Sequence, residues 1–175
     1  ACCVAITRGA GAVLLGKTVS TEFGHRFPGK THNPFNPAHT PGGSSSGSAA
    51  AVGDKMIPMA YGTQTTGSVI RPAAYCGTVG YKPSYGDFNN SGVMPNTPTI
   101  DTLGAMVRSV EDLGLLRSIL LEEPLVPLDR PALSDLKIGF YRSPYWDHAE
   151  DYMKKYITAA AASLSAKGPQ LSDVE

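Results

Sequence analysis

The chain has 175 residues, with 15 basic and 15 acidic side chains and a net charge of zero. That length suggests one domain with enough chain for a core, and the balanced charge leaves no electrostatic footprint for nucleic acid or an anionic membrane surface. Three cysteines, two of them adjacent at Cys2 and Cys3, fit reduced thiols better than a disulfide framework; no signal peptide and no apolar run of about eighteen residues is seen, so a cytoplasmic protein is expected.

In chain order, residues 1–8 read as the end of a helix stopped by Gly9, and Ala12-Val13-Leu14-Leu15 reads as a short buried strand. Residues 18–41 form a long polar loop, a length that in a compact domain is usually functional or disordered. His25, His32 and His39 recur in it every seven residues, but no cysteine or carboxylate set with ligand spacing accompanies them, so no metal is expected. Ala49-Ala50-Ala51-Val52 favours helix, and Ile57-Pro58-Met59-Ala60-Tyr61 favours a buried strand. Ser84 to Thr99 is turn-rich. Ser109-Val110-Glu111-Asp112 resembles a capping box that opens a helix over about 110–121, with Leu113, Leu116 and Leu120 at helical spacing. Pro124 and Pro127 mark a linker, and residues 136–140 read as a strand. Asp147 is the expected cap of a last helix that carries Met153, Ile157, Ala161 and Leu164 on one face and ends at Gly168-Pro169. Strands alternating with helices indicate an α/β fold.

Two clusters stand out within residues 40–86. The first is Gly42-Gly43-Ser44-Ser45-Ser46-Gly47-Ser48, and the second runs from Gly62-Thr63-Gln64-Thr65-Thr66-Gly67-Ser68 to Arg71-Pro72. A glycine-rich loop entering a helix gathers backbone N–H groups that favour negative charge. A serine hydroxyl held there could attack a carbonyl while those donors hold the oxyanion. Plainer readings compete. Ser/Gly composition alone reads as a flexible linker. Gly43-Ser44-Ser45-Ser46-Gly47 also satisfies Gly-x-Ser-x-Gly, with Ser45 as an α/β-hydrolase nucleophile. The residues ahead of it, Pro37 to Gly42, are not an apolar strand. No Gly-Lys-Ser/Thr closes either cluster, which speaks against a phosphate loop.

These clusters, with Cys76-Gly77 and Gly80-Tyr81-Lys82-Pro83 after them and Gly16-Lys17-Thr18, Glu22-Phe23, Asn33-Pro34 and Thr40-Pro41 before them, resemble the amidase signature family over most of residues 9–113. The resemblance implies a mixed β-sheet core covered by helices, and hydrolysis of a carboxylic amide to acid and ammonia through a Ser-Ser-Lys triad. By position, Ser68 is the implied nucleophile and Ser44 the bridging serine beside a cis peptide bond. Thr65, Thr66, Gly67 and Ser68 are the implied oxyanion hole, and Arg71 and Gly43 the implied substrate-binding residues. Arg71 lies three residues after Ser68, a placement similar to the malonamidase-like branch. There an arginine holds a substrate carboxylate; the plainer reading of Arg71 pairs it with a carboxylate in the core.

The sequence also departs from the family pattern. Gln64 stands where aspartate is frequent, and Ser46 and Thr66 stand where glycine is frequent. The triad lysine belongs to a Lys-Asp motif upstream of the Gly16-Lys17-Thr18 segment, and no such motif occurs here; Lys30, Lys55 and Lys82 read as solvated surface. The chain is therefore expected to be the central portion of one amidase signature domain, without its lysine segment and C-terminal half. Besides an amidase, the resemblance leaves open an amidotransferase component that delivers ammonia to a partner site, and a catalytically silent fragment. It implies no cofactor, a small-molecule amide as substrate, no nucleic-acid or membrane partner, and it admits a homodimer.

Overall fold

The computed structural model describes residues 1–25, 27 and 29–174. They fall into two compact units, Ala1–Leu128 and Asp129–Glu175. The first holds helices α1 (Cys2–Gly9), α2 (Ser46–Gly53), α3 (Ile70–Tyr75) and α4 (Val110–Leu121) and strands β1 (Met59–Gln64), β2 (Val79–Tyr81) and β3 (Thr102–Val107). The second holds β4 (Lys137–Tyr141), α5 (Asp151–Ser165) and β5 (Gln170–Val174).

β3 is the centre of the first unit. It pairs antiparallel with β1, Gln64 opposite Thr102 and Met59 opposite Val107, and antiparallel with β2, Val79 opposite Val107 and Tyr81 opposite Ala105. Every residue of β3 is buried, because both faces of the sheet are covered. Side chains alternate along a strand, so Leu103, Ala105 and Val107 share one face and pack with Cys3, Phe88, Leu116 and Leu120 from α1, α4 and the loop before β3. Met106 lies on the opposite face with Ala49, Ala50 and Val52 of α2 and Val69, Ala73 and Cys76 around α3. Full burial of a side chain such as Leu116 or Met106 contributes roughly 1.5–3 kcal/mol.

The second face is built from small residues. Gly62 and Gly104 stand opposite one another in the β1–β3 register. A Cβ on Gly62 would lie 2.6 Å from Ser45 Oγ, and one on Gly104 would lie 2.5 Å from the Tyr81 carbonyl oxygen. Both are below any normal contact, so glycine at 62 lets Ser45 of the first cluster seat against the sheet, and glycine at 104 lets β2 approach β3.

The expected N-cap forms: Ser109 Oγ accepts the Asp112 N–H at 3.0 Å, an interaction worth about 1 kcal/mol. Three expectations are corrected. Residues 12–15 form no strand; Val13 and Leu15 are 81% and 75% exposed, since no neighbouring strand among the described residues offers them a ladder. The strand expected over 57–61 begins at Met59 and reaches Gln64, because Pro58 lacks the N–H that an earlier start would use. The last helix starts at Asp151 after Glu150, while Asp147 sits in a separate 3₁₀ turn, Trp146–His148. No residue of α5 is buried within its unit. β4 and β5 pair in parallel, Lys137 opposite Gln170 and Tyr141 opposite Val174. The chain thus carries both parallel and antiparallel pairing. Among the described residues, no helix is long and apolar enough to cross a membrane.

Candidate active site

The two clusters meet at one edge of the three-stranded sheet. The first leads from Pro41 into α2, and the second leads from the end of β1 into α3. They are joined directly, because the Ser45 N–H donates to the Ser68 carbonyl at 3.2 Å. Ser45 Oγ lies 3.3 Å from the Thr63 nitrogen and 3.4 Å from the Thr63 oxygen. That hydroxyl is committed to fixing the first cluster against β1, which answers the Gly-x-Ser-x-Gly alternative and also the linker alternative.

Ser44 and Ser68 are 7% and 9% exposed, and the Gly43–Ser44 peptide bond is cis. The Ser44 carbonyl accepts two N–H groups, from Thr21 at 3.0 Å and Ser46 at 2.8 Å, so its backbone is fixed from both sides. No hydrogen bond joins the Ser44 and Ser68 hydroxyls. Lys17, Lys30, Lys55 and Lys82 are all exposed, and Lys82 Nζ donates to the Pro83 carbonyl at 2.6 Å.

Gln64, in place of an aspartate, braces the second loop from within. Its Oε1 accepts the N–H groups of Val69 at 2.8 Å and Ile70 at 3.0 Å, and its Nε2 donates to the Thr66 carbonyl at 3.2 Å. An amide serves all three contacts at once, where a carboxylate would face the Thr66 oxygen with no proton to give. Among the described residues, none accepts the N–H of Gly67 or Ser68. These two donors stand beside the Ser68 hydroxyl in an otherwise braced loop.

Among the described residues, Arg71 forms no ion pair with a core carboxylate. Its Nε and Nη2 both donate to the Gly43 carbonyl, at 3.0 and 2.8 Å, so the guanidinium fork ties α3 to the peptide that precedes Ser44. The side chain is otherwise exposed, with Nη1 on the side of Gly67. Cys76 is fully buried and its Sγ–H donates to the Pro41 carbonyl at 3.4 Å; burial pushes this thiol up to about 11, which makes it a structural group.

One part of the loop's support carries no signal in the sequence. Thr65 Oγ1 donates to Asp101 Oδ1 at 2.6 Å, and Asp101 Oδ2 accepts the N–H groups of Asn96 and Thr97 at 2.6 and 2.7 Å. Partial burial pushes the Asp101 carboxyl up, but the bonds from Thr65, Asn96 and Thr97 outweigh that and hold it below the usual range.

The sequence model of the Amidase family matches residues 1–175. The chain belongs to the amidase signature family. It is 41% identical over 193 residues to a glutamyl-tRNA(Gln) amidotransferase subunit of Methylococcus capsulatus, covering 99% of this chain and 40% of that protein. It is 38% identical over 173 residues to mandelamide hydrolase of Pseudomonas putida, covering 93% and 34%. The native peptide amidase of Stenotrophomonas maltophilia superposes with a TM-score of 0.83 at 33% identity over 100% of this chain and 41% of that one. The chain thus spans 25% to 40% of the length of such curated relatives, and its mixed α/β fold is that of amidase signature structures.

Proposed function

We propose that the protein carrying this sequence hydrolyses a carboxylic amide to acid and ammonia, with Ser68 as nucleophile and Ser44 as the bridging serine. The observation that carries the reading is the junction of the two loops. The residue after the cis Gly43–Ser44 bond, Ser45, donates its N–H to the Ser68 carbonyl, and among the described residues the N–H groups of Gly67 and Ser68 have no acceptor, which supports a site shared by the two serines. Ser68 Oγ attacks the amide carbonyl while its proton leaves through Ser44 Oγ toward a base. The N–H groups of the Thr65–Ser68 loop take the oxyanion. Collapse of the tetrahedral species breaks the C–N bond, the nitrogen takes a proton and leaves as ammonia, and water then cleaves the Ser68 ester to the acid. In the family pattern the base is a lysine upstream of Gly16-Lys17-Thr18, in a motif that these 175 residues do not contain, and Lys17, Lys30, Lys55 and Lys82 are all exposed.

Arg71 would select amides that carry a carboxylate. Two of its nitrogens are fixed on Gly43, which leaves Nη1 on an exposed, pre-oriented fork. The same reading has the protein act on a small molecule in the cytoplasm, and it admits a homodimer. Similarity to the Methylococcus amidotransferase favours a second reading, in which the ammonia passes to a partner protein; ammonia release into solution without any partner distinguishes the two.

The test is labelling of the protein with a fluorophosphonate, followed by peptide mapping and amide kinetics. We expect one adduct on Ser68, none in Ser68→Ala, and labelling slowed at least about 100-fold in Ser44→Ala. Arg71→Lys should raise KM for an acidic amide and leave a neutral one unchanged. An unlabelled Ser68 favours the silent fragment and overturns the catalytic assignment.

A further inference from the structure

We infer that Asp101 is a positioning residue for the oxyanion loop and acts through the Thr65 hydroxyl; this rests on the catalytic reading above. Thr65 opens the loop that ends in Ser68, and a loop that must present backbone donors to a transient oxyanion needs its first residue fixed as firmly as its last. The far end is fixed by Gln64, which holds the N–H groups of Val69 and Ile70. The near end is fixed by Asp101 alone among the described carboxylates, through Thr65 Oγ1 at 2.6 Å.

The position of Asp101 is itself well determined. It directly precedes β3, whose first residue, Thr102, lies opposite Gln64 in the sheet register, so the carboxylate is set beside Thr65 by the ladder. Its main-chain carbonyl accepts Asn90 Nδ2 at 2.9 Å, and Asn90 Oδ1 accepts the Leu103 N–H at 3.2 Å. Its second oxygen takes both N–H groups of the 96–97 turn, and Asn96 Nδ2 reaches back to Thr65 Oγ1 at 3.2 Å. One ionised carboxylate therefore joins the oxyanion loop, the 96–97 turn and the central strand. Charge-assisted bonds of this length are about twice as strong as neutral ones.

This arrangement makes a distinction that a merely structural role would not. Thr65→Val keeps the shape of the side chain and leaves Asp101 its bonds to Asn96 and Thr97, but it frees the loop from the strand. Thr65→Ser restores the hydroxyl. We expect Thr65→Val to slow fluorophosphonate labelling of Ser68 about tenfold and lower kcat for an amide by a similar factor, with KM unchanged. Thr65→Ser should stay within about twofold of the parent, and Asp101→Asn, whose amide N–H₂ meets donors it cannot accept, should behave like Thr65→Val. All rates are taken well below each variant's melting temperature, so loss of fold is seen separately. Equal labelling rates in parent and Thr65→Val, or a loss confined to KM, overturn the inference. An unlabelled Ser68 in the parent protein instead removes the catalytic reading beneath it.

Discussion

Cys76 shows how one buried side chain is tied to both the site and the pH response of the fold. It is fully buried beneath the turn that leads into the first cluster, hydrogen-bonded to Pro41. Its thiol titrates near 11 instead of near 9 because burial disfavours the thiolate. A raised folded-state value stabilises the fold fully below the unfolded value. That stability is lost as pH rises through the window from about 9 to 11. We therefore expect urea midpoints to fall across this window, and to fall less in Cys76→Ala; a parallel fall in both proteins would assign the loss elsewhere. The two clusters that hold Gly43, Ser44 and Ser68 were legible because they resemble the amidase signature as a whole. Asp101 was not, since a lone aspartate after Thr99-Ile100 gives no local sign that a strand pairing will bring it against Thr65.

Among the elements, the sheet face turned toward α2 and α3 controls how closely the two loops can approach. Gly62 and Gly104 leave room that any side chain would fill. Gly62→Ala should cost about 1–3 kcal/mol in chemical denaturation and also slow Ser68 labelling, because the added methyl pushes on Ser45, which is bonded to Ser68. A stability loss with an unchanged labelling rate would separate the face from the site. The same feature explains which elements the sequence disclosed. α4 was read from Ser109 and its leucine spacing, which are local signals. β3 was missed because burial on both faces removes the apolar–polar alternation that marks a half-exposed strand, leaving Thr-Leu-Gly-Ala-Met-Val with no period. Residues 12–15 failed in the opposite direction: an apolar run resembles a strand, but a strand needs a neighbour.

For the molecule as a whole, burial is uneven. In the first unit β3 is covered on both faces, whereas among the described residues of the second unit only Pro169 is buried. Its Arg142–Asp173 pair, at 2.5 Å, is solvent-exposed on both sides and adds little. Amide exchange of the 175-residue chain should therefore be slowest in β3 and its partners and fastest in β4, β5 and α5. Equal protection in the two units would show that the second is covered in solution.

The strand order β1-β3-β2 also sets a timetable. β1 and β2 leave the ribosome first, and neither has its sheet neighbour until residue 107 has been made. Until then both strands present open edges, and the two serine loops lack the scaffold that brings them together. A nascent chain from which residue 81 has emerged but residue 102 has not would expose those edges to other chains, and chaperone demand should peak at that point in synthesis.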